Sequence, residues 1–419
     1  MVMRFSPLQR KLLRDVSRIK GQALAVSFVM ACGIAMIIMA RSLIHSLETT
    51  RDEYYQDHRF GDVFAELERA PIFHRSRLES IPGVTAVETR VRGRLTLDLP
   101  GIAEPTDGVV LSLPDDRPQR LNRLFLRKGR LPERGRRGEA VVSEAFADEH
   151  ELLPCDSVSV VLRGKEEALS IVGVALSPEF VFEARPGDSL PEARRFGVFW
   201  MSESELAPAL ELDGAFNDVV VDIAPGGDPL RIMDELDRHL EPYGSTGAYG
   251  RSDHRSAVRL DDEIAVLRIL AFAFPLIFLS LSAFMSSAVL SRLARLQREQ
   301  IALLKAFGYP AVAIGVHYFG FALIFVAIGT TVGIVGGEWI GASMVGVYER
   351  FFRFPSLVFH SEPSSIATAV CMTSLAAVVG VLNPVRQAMA LPPAAAMRPA
   401  PPMRYRRCLV EQWSWSRYL

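Results

Sequence analysis

Cysteine is scarce in this chain, with 4 in 419 residues. Cys32 and Cys371 fall in apolar runs and Cys408 in a basic tail, so no intrachain disulfide is expected, and Cys155 reads as a half-buried small residue. The net charge of -1, with no basic stripe and no interleaving of aromatic and basic residues, gives no reason to expect a nucleic-acid partner. No G-x-x-x-x-G-K-[ST] sequence is present, which excludes ATP binding through a P-loop of the chain's own. Nor is there a G-x-S-x-G elbow, an H-E-x-x-H pair or a cysteine and histidine cluster at metal spacing. No catalytic residue, metal site or cofactor is therefore expected, and the chain does not read as an enzyme. The most telling absence is local. Charged residues make up 23% of the chain, yet none occurs in residues 23–40, 269–291, 306–337 or 363–385. Four uncharged runs of this length do not fit in a water-soluble core of this size, which excludes a wholly soluble protein.

Each run must satisfy its backbone hydrogen bonds within itself in lipid, so each is read as a transmembrane helix, and about 18 residues at ~1.5 Å apiece nearly cross ~30 Å of hydrocarbon. Orientation follows from the basic residues. Arg4, Arg10, Lys11, Arg14, Arg18 and Lys20 stand before the first run against the single acid Asp15, which puts the N-terminus in the cytoplasm. Runs two and three enclose Arg292, Arg295, Arg298 and Lys305, an inner loop, whereas runs three and four enclose Arg350 and Arg353 against Glu338, Glu349 and Glu362, an outer one. A basic tail after the fourth run returns to the inside. A cleaved signal peptide is the alternative for the first run, but its length and the lack of a clean A-x-A site argue against it.

Residues 45–264, between the first two crossings, are long enough for a domain with its own core. Strand-like runs recur at residues 62–67, 95–99, 108–113, 158–162, 169–174 and 218–223, with turns at Pro82-Gly83, Pro186-Gly-Asp188 and Pro225-Gly-Gly-Asp228. Helical patterns are expected at Ser143 to Leu153 and at Pro229 to Leu240. The expected architecture is thus a membrane α-helical chain of four transmembrane helices, with an α+β extracytoplasmic domain inserted between helices 1 and 2. Asp148-Glu-His-Glu151 is the nearest approach to a ligand cluster, but adjacent helical residues point to different faces and a solvated face explains it better. Asp115-Asp116, Glu166-Glu167 and Asp261-Asp-Glu263 likewise read as exposed charge.

Two membrane features stand out. Gly329, Gly333, Gly337 and Gly341 recur every four residues, a stripe that lets another helix approach closely. No acid or base lies within a membrane core, which leaves an ion-coupled transporter without a carrier. The loop at 292–309 reads as a short amphipathic helix, with Leu296, Gln300, Leu303 and Phe307 on one face and a stop at Gly308 and Pro310. On spacing alone it fits a helix lying on lipid headgroups as well as one that docks on a partner.

The wording of that loop resembles the hallmark of the FtsX-like permease family, in which a basic stretch precedes an E-x-I-A-x-L-K-A-x-G pattern. Here the pattern is met at Glu299, Ile301, Ala302, Leu304, Lys305, Ala306 and Gly308. Further words look like those of the long bacterial permeases of the family: Arg10-Lys-Leu-Leu-Arg-Asp15, Ile81-Pro-Gly-Val84, Arg195-Phe-Gly-Val-Phe-Trp-Met201, Phe351-Phe-Arg-Phe-Pro355 and Leu391-Pro-Pro-Ala-Ala-Ala-Met-Arg-Pro399. The resemblance implies a permease subunit of an ABC-type transporter or mechanotransmitter in the bacterial inner membrane, with both termini cytoplasmic. It further implies a separate ABC ATPase partner that binds the ATP, and a hydrophobic or lipid-like substrate handled by the external domain. Its implied division is 1–44 for the basic segment and helix 1, 45–264 for the external domain, 265–387 for a three-helix domain with coupling loop 292–309, and 388–419 for a tail. The residues implied for coupling are Arg298, Glu299 and Lys305 through charge, Ile301, Leu304 and Phe307 through apolar contact, and Gly308 as the stop.

In the long permeases Pro401-Pro-Met-Arg-Tyr405 would lead into a second half, so this sequence reads as a first half alone. A second permease half or a homodimer partner, besides membrane lipid, is therefore expected. A non-transporting receptor or mechanotransmitter, an inactive half-permease, and a membrane-anchored hydrolase are the rival readings. The inner segments are too short to fold as effector domains, and no catalytic motif supports the hydrolase.

Overall fold

The computed structural model describes residues 7–98, 106–185, 187–188 and 190–392. Pro186 of one expected turn, most of the Leu391 to Pro399 word, the Pro401 to Tyr405 word and Cys408 lie outside the described residues. Along the chain run α1 (Pro7–Arg18), α2 (Lys20–Asp57), β1 (Val63–Pro71), α3 (His74–Glu79), β2 (Val84–Arg90), β3 (Arg92–Asp98), β4 (Thr106–Leu113), β5 (Phe125–Gly129) and β6 (Glu139–Ser143). Then come α4 (Glu144–Glu149), β7 (Ser157–Leu162), β8 (Lys165–Leu176), β9 (Phe196–Ser202), α5 (Glu203–Ala209), β10 (Ala215–Ile223), α6 (Pro229–Leu240) and β11 (Ala248–Gly250). The chain continues as α7 (Arg255–Leu296), α8 (Arg298–Ala306), α9 (Ala311–Phe351) and α10 (Pro363–Ala390). Among the described residues, α2, α7, α9 and α10 are the helices long and apolar enough to cross a membrane.

Two compact units result. The helical unit takes residues 7–37, 273–337 and 366–392 of the described chain, and the sheet unit takes 38–272 with 338–365. This differs from a division at 44 and 264. The apolar run sets only the middle of each long helix; beyond it α2 and α7 continue, and their ends bury Leu43, Leu47, Tyr54, Leu260 and Ile264 in one core with Phe60 and Phe64. Each added helical residue gains a backbone hydrogen bond at little further cost once the helix exists, so the helices run until tertiary packing no longer rewards them.

The sheet unit holds two sheets. The first, in order β11-β1-β10-β2, is wholly antiparallel, and its two β-α-β units are β1-α3-β2 and β10-α6-β11. This is a split β-α-β arrangement, with Ile232, Leu236 and Leu240 of α6 filling the core against Val63, Val87 and Val219. Asp228 caps α6 by accepting from the Leu230 amide at 3.1 Å, and Pro229 preorganises its first turn. The second sheet, in order β5-β8-β6-β9-β4-β3-β7, closes on itself because β7 also pairs with β8. Six strands thereby form a barrel around Val91, Val110, Val142, Phe146, Ile171 and Phe199.

The expected strand runs overlap β1, β3, β4, β7, β8 and β10, those at 62–67 and 95–99 overrunning β1 and β3 by one residue each, and the Pro229 to Leu240 helix is α6. The Ser143 to Leu153 pattern is helical only over α4; the chain turns at Glu151, whose φ is 53°, and the Leu152 amide bonds back to the Ala147 carbonyl at 2.8 Å. Cys155 is exposed, not half-buried, because its amide bonds to the Ile171 carbonyl at 2.7 Å in a turn with φ 88° that throws the side chain outward.

Candidate functional site

The segment between α7 and α9 is a helix set off by two breaks. At the first, Gln297 takes φ -94° and ψ 16° and interrupts the run that α7 began. Leu296 consequently belongs to α7, and the single face expected to join it to Gln300, Leu303 and Phe307 is divided. At the second, the Gly308 amide bonds to the Lys305 carbonyl at 3.0 Å and the Tyr309 amide to the Leu304 carbonyl at 3.1 Å. These two bonds make a Schellman ending, and Gly308 supplies its left-handed residue with φ 88°. Pro310 then leads into α9.

Three expected coupling residues are positioned differently from the sequence reading. Ile301 and Ala302 are buried in the helical core with Leu290, Leu293, Ile314 and Tyr318, which removes Ile301 from any partner contact in this arrangement. Leu304 is half-buried. The Lys305 amine donates to the carbonyls of Met389 at 2.8 Å and Leu391 at 2.6 Å, capping the open end of α10. A cation near a helix C-terminus satisfies carbonyls that the helix leaves unpaired; the spacing within one helix cannot show that a second helix ends there. Arg298 is half-buried, Glu299 is exposed, and Leu303 and Phe307 stand 51% and 73% exposed. Leu303, absent from the expected set, is thus the apolar partner of Phe307 on the outer face of α8.

Behind α8 lies a polar network that charge patterning did not reveal. The Gln297 amide donates to the buried Asp15 carboxylate at 3.0 Å, the Tyr318 hydroxyl donates to the Gln297 side-chain oxygen at 3.1 Å, and Lys11 bonds to Asp15. The α7 to α8 break is therefore tied to α1 and α9 at once. A buried carboxylate without such partners would cost several kcal/mol, on the order of the penalty for an unpaired buried ion.

The glycine stripe finds its partner within the chain. A Cβ on Gly329 would stand 2.9 Å from Met30 Cβ, and one on Gly333 would stand 2.6 Å from Ile34 Cβ, so α2 is the helix that approaches. Gly337 is buried. At Gly341, in the sheet unit, the neighbour is the Phe359 ring, 2.5 Å from a would-be Cβ.

In the sheet unit, the Arg90 guanidinium donates to Glu179 at 2.6 and 3.1 Å and to Asp218 at 2.7 Å, all three buried. Burial by itself would raise the Glu179 carboxyl, but the charge and hydrogen bonds of Arg90, together with the nearby His254 and Arg92, outweigh it and hold Glu179 down at about 2. Glu183 has no such cation in contact: burial pushes it up to about 7, against the hydrogen bond it accepts from Ser143 at 2.8 Å. Asp148 of the acidic cluster pairs with Arg353 at 3.0 Å, and no group of three metal ligands occurs among the described residues.

Residues 272–393 match the family model of the FtsX-like permease C-terminal domain. This part of the chain is similar to that domain. It contains α7 from Phe272 onward, α8 and α9 in full, and α10. The chain is a membrane protein of four apolar helices with a β-rich domain between the first and second. Among solved structures, the extracellular domain of the ABC-type transporter YknZ from Gram-positive bacteria is similar at 13% identity, over 45% of this chain and 98% of that one, with a TM-score of 0.30. The periplasmic region of MacB from Actinobacillus actinomycetemcomitans is similar at 9% identity, over 51% of this chain and 96% of that one, with a TM-score of 0.29. The comparison with curated proteins gives no match.

Proposed function

We propose that the chain is the permease subunit of an ABC-type transporter, set in a bacterial inner membrane with both termini cytoplasmic, and that it docks on a separate ATPase through residues 292–309. The observation that carries this reading is the two-sidedness of α8 within an FtsX-like permease domain. Its inner face is fixed by Ile301, Ala302 and the Lys305 cap, while Leu303 and Phe307 point outward with Glu299 beside them. A docked partner that pushes on α8 acts through Gln297 on α1, α7 and α9 together, the kind of rigid connection that transmission between two states requires. The substrate in this reading is hydrophobic or lipid-like, in keeping with membrane cores that carry no ionised side chain, and the chain itself is a transport component, not an enzyme. A second copy or a separate second half completes the assembly. Since α2 already fills the faces of Gly329 and Gly333, that partner packs elsewhere.

Co-purification of the full chain in mild detergent with the ATPase encoded beside it tests the proposal. The Leu303→Asp, Phe307→Asp variant should lose the ATPase while remaining inserted. Retained association would sink the docking assignment, and no association of the unaltered, inserted chain would favour a receptor or an inactive half-permease.

A further inference from the structure

The sheet unit contains two cavities that share three lining residues. One, of about 450 Å³, is walled mainly by apolar side chains of α7, α9 and the residue after it, Val266, Val347, Phe351 and Phe352 among them. The other, of about 320 Å³, has a mixed lining in which Arg92, Asp253, His254 and Arg255 stand beside Phe180 and Val258. Phe182, Arg259 and Asp262 line both. Each volume falls in the range of small-molecule sites, roughly 300 to 1,000 Å³.

The bilayer does not account for the apolar half. On α9, Val347 and Phe351 follow the uncharged stretch that ends at Gly337 and share their segment with Glu338, Glu349 and Arg350, charges that hydrocarbon does not accept. Val347 and Phe351 nevertheless remain 43% and 40% exposed. Apolar surface left open where the chain is otherwise charged marks an occupant.

The joint between the cavities states what that occupant must be. Arg259 and Asp262, both exposed, are one turn apart on α7, and neither side chain has an ionic or hydrogen-bonding partner among the described residues, so both charges are free to meet a ligand. Together they offer one cation and one anion where the apolar groove meets the second cavity. A phosphate group suits the guanidinium fork of Arg259. An ammonium group suits Asp262, with Asp253 close by in the lining of the second cavity. Lining the same cavity, His254 is 7% exposed and its Nδ1 has no hydrogen-bond partner. Burial lowers its pKa to about 4, so the ring is neutral at pH 7 and has one nitrogen to spare for a polar headgroup.

We infer that this two-part cavity binds one acyl chain and the headgroup of a zwitterionic phospholipid, the chain along Val266, Val347 and Phe351, the phosphate on Arg259 and the ammonium on Asp262. The inference rests on the reading of the chain as a permease for a lipid-like substrate and names that substrate's headgroup class and its site. A purely anionic amphiphile would face Asp262 unpaired, and a purely cationic one would face Arg259.

Native mass spectrometry of the detergent-purified full chain, titrated with lysophosphatidylethanolamine, lysophosphatidylglycerol and dodecylamine, decides the matter. The zwitterion should bind tightest. Arg259→Gln should weaken it at least tenfold while sparing dodecylamine, Asp262→Asn should weaken it at least tenfold while sparing lysophosphatidylglycerol, and Val347→Trp should exclude all three by filling the groove. Equal affinity for the three amphiphiles, unchanged in the variants, would overturn the site; a preference for the anion or the amine would overturn the headgroup assignment. Thermal melting checks that each variant is folded, and should a charge variant fail to fold, the Val347→Trp titration decides. The Leu303→Asp, Phe307→Asp variant should bind lipid as the unaltered chain does, so a failure of ATPase docking and a failure of lipid binding are read separately.

Discussion

In the helical unit glycines let one helix lie close against another, whereas in the sheet unit a buried guanidinium gathers charged side chains from separate elements. Gly333 lets α9 lie against Ile34 of α2, and a Cβ on Gly380 would stand 2.6 Å from the Ala283 carbonyl oxygen on α7. Arg90 instead draws Glu179, Asp218 and, through Glu179, the Asn122 amide at 2.8 Å into one charged cluster. Solvent explains the contrast. Lipid is as apolar as a leucine core, so helices there gain little from apolar burial and associate by close van der Waals contact between small residues. The sheet unit buries apolar surface out of water and can carry the desolvation of a few ions, provided each finds its partners.

The comparison is most severely tested at Arg90. Arg90→Met leaves Glu179 buried without a contacting cation and Asp218 with only Arg92, 3.7 Å away, and should cost about 3 to 5 kcal/mol of stability. Denaturant unfolding of the full chain checks it, and a loss below 1 kcal/mol would mean that the cluster does not hold the sheet unit together. Glu183 sharpens the same point from the opposite side, because it is buried without a cation in contact. Its folded-state pKa of about 7 lies above the unfolded value, so the protonated form favours the folded state. The resulting penalty is absent below about pH 4.5, grows as pH rises toward 7 and is complete above it. Glu183→Gln should therefore stabilise the chain by roughly 3 kcal/mol at pH 8 and by almost nothing at pH 4.5. Melting curves of both proteins across that window measure the difference, and a pH-independent gap would show that Glu183 does not titrate there.

The smallest effect is expected in the helical unit. Gly333→Leu should cost about 1 to 3 kcal/mol by forcing α9 off α2, while Gly21→Ala, with nothing within 4 Å of the new methyl, should be tolerated. Melting temperatures in one detergent compare them. Equal stability of the two variants would remove the glycine contact as a packing determinant.

Parts of this architecture were legible because their physics is local. A charge-free run longer than 18 residues announces its helix, Asp228 and Pro229 announce the start of α6, and Gly308 with Pro310 announces the end of α8. Alternation announced β7 over Ser157 to Val160. It failed for β6 and β9, where every residue from Glu139 to Ser143 and from Phe196 to Ser202 is buried, so that neither strand has a wet face to mark its period. It failed for β2 for the reverse reason: Glu88, Thr89 and Arg90 read as surface and are buried because Arg117, Glu179 and Asp218 wait for them from other elements.

The sequence by itself determined the four apolar helices, the basic and acidic loops between them and the short helix that carries the family's wording, since each depends on the composition or spacing of neighbouring residues. Only the tertiary structure decided that β7 returns to β8 and closes a barrel, that α2 meets Gly329 and Gly333, that Ile301 faces inward, that Lys305 caps α10, and that Asp15 meets Gln297 across 282 positions. Those contacts join residues whose proximity is a property of the folded chain alone: no local pattern records where a distant helix ends or which of two faces it covers.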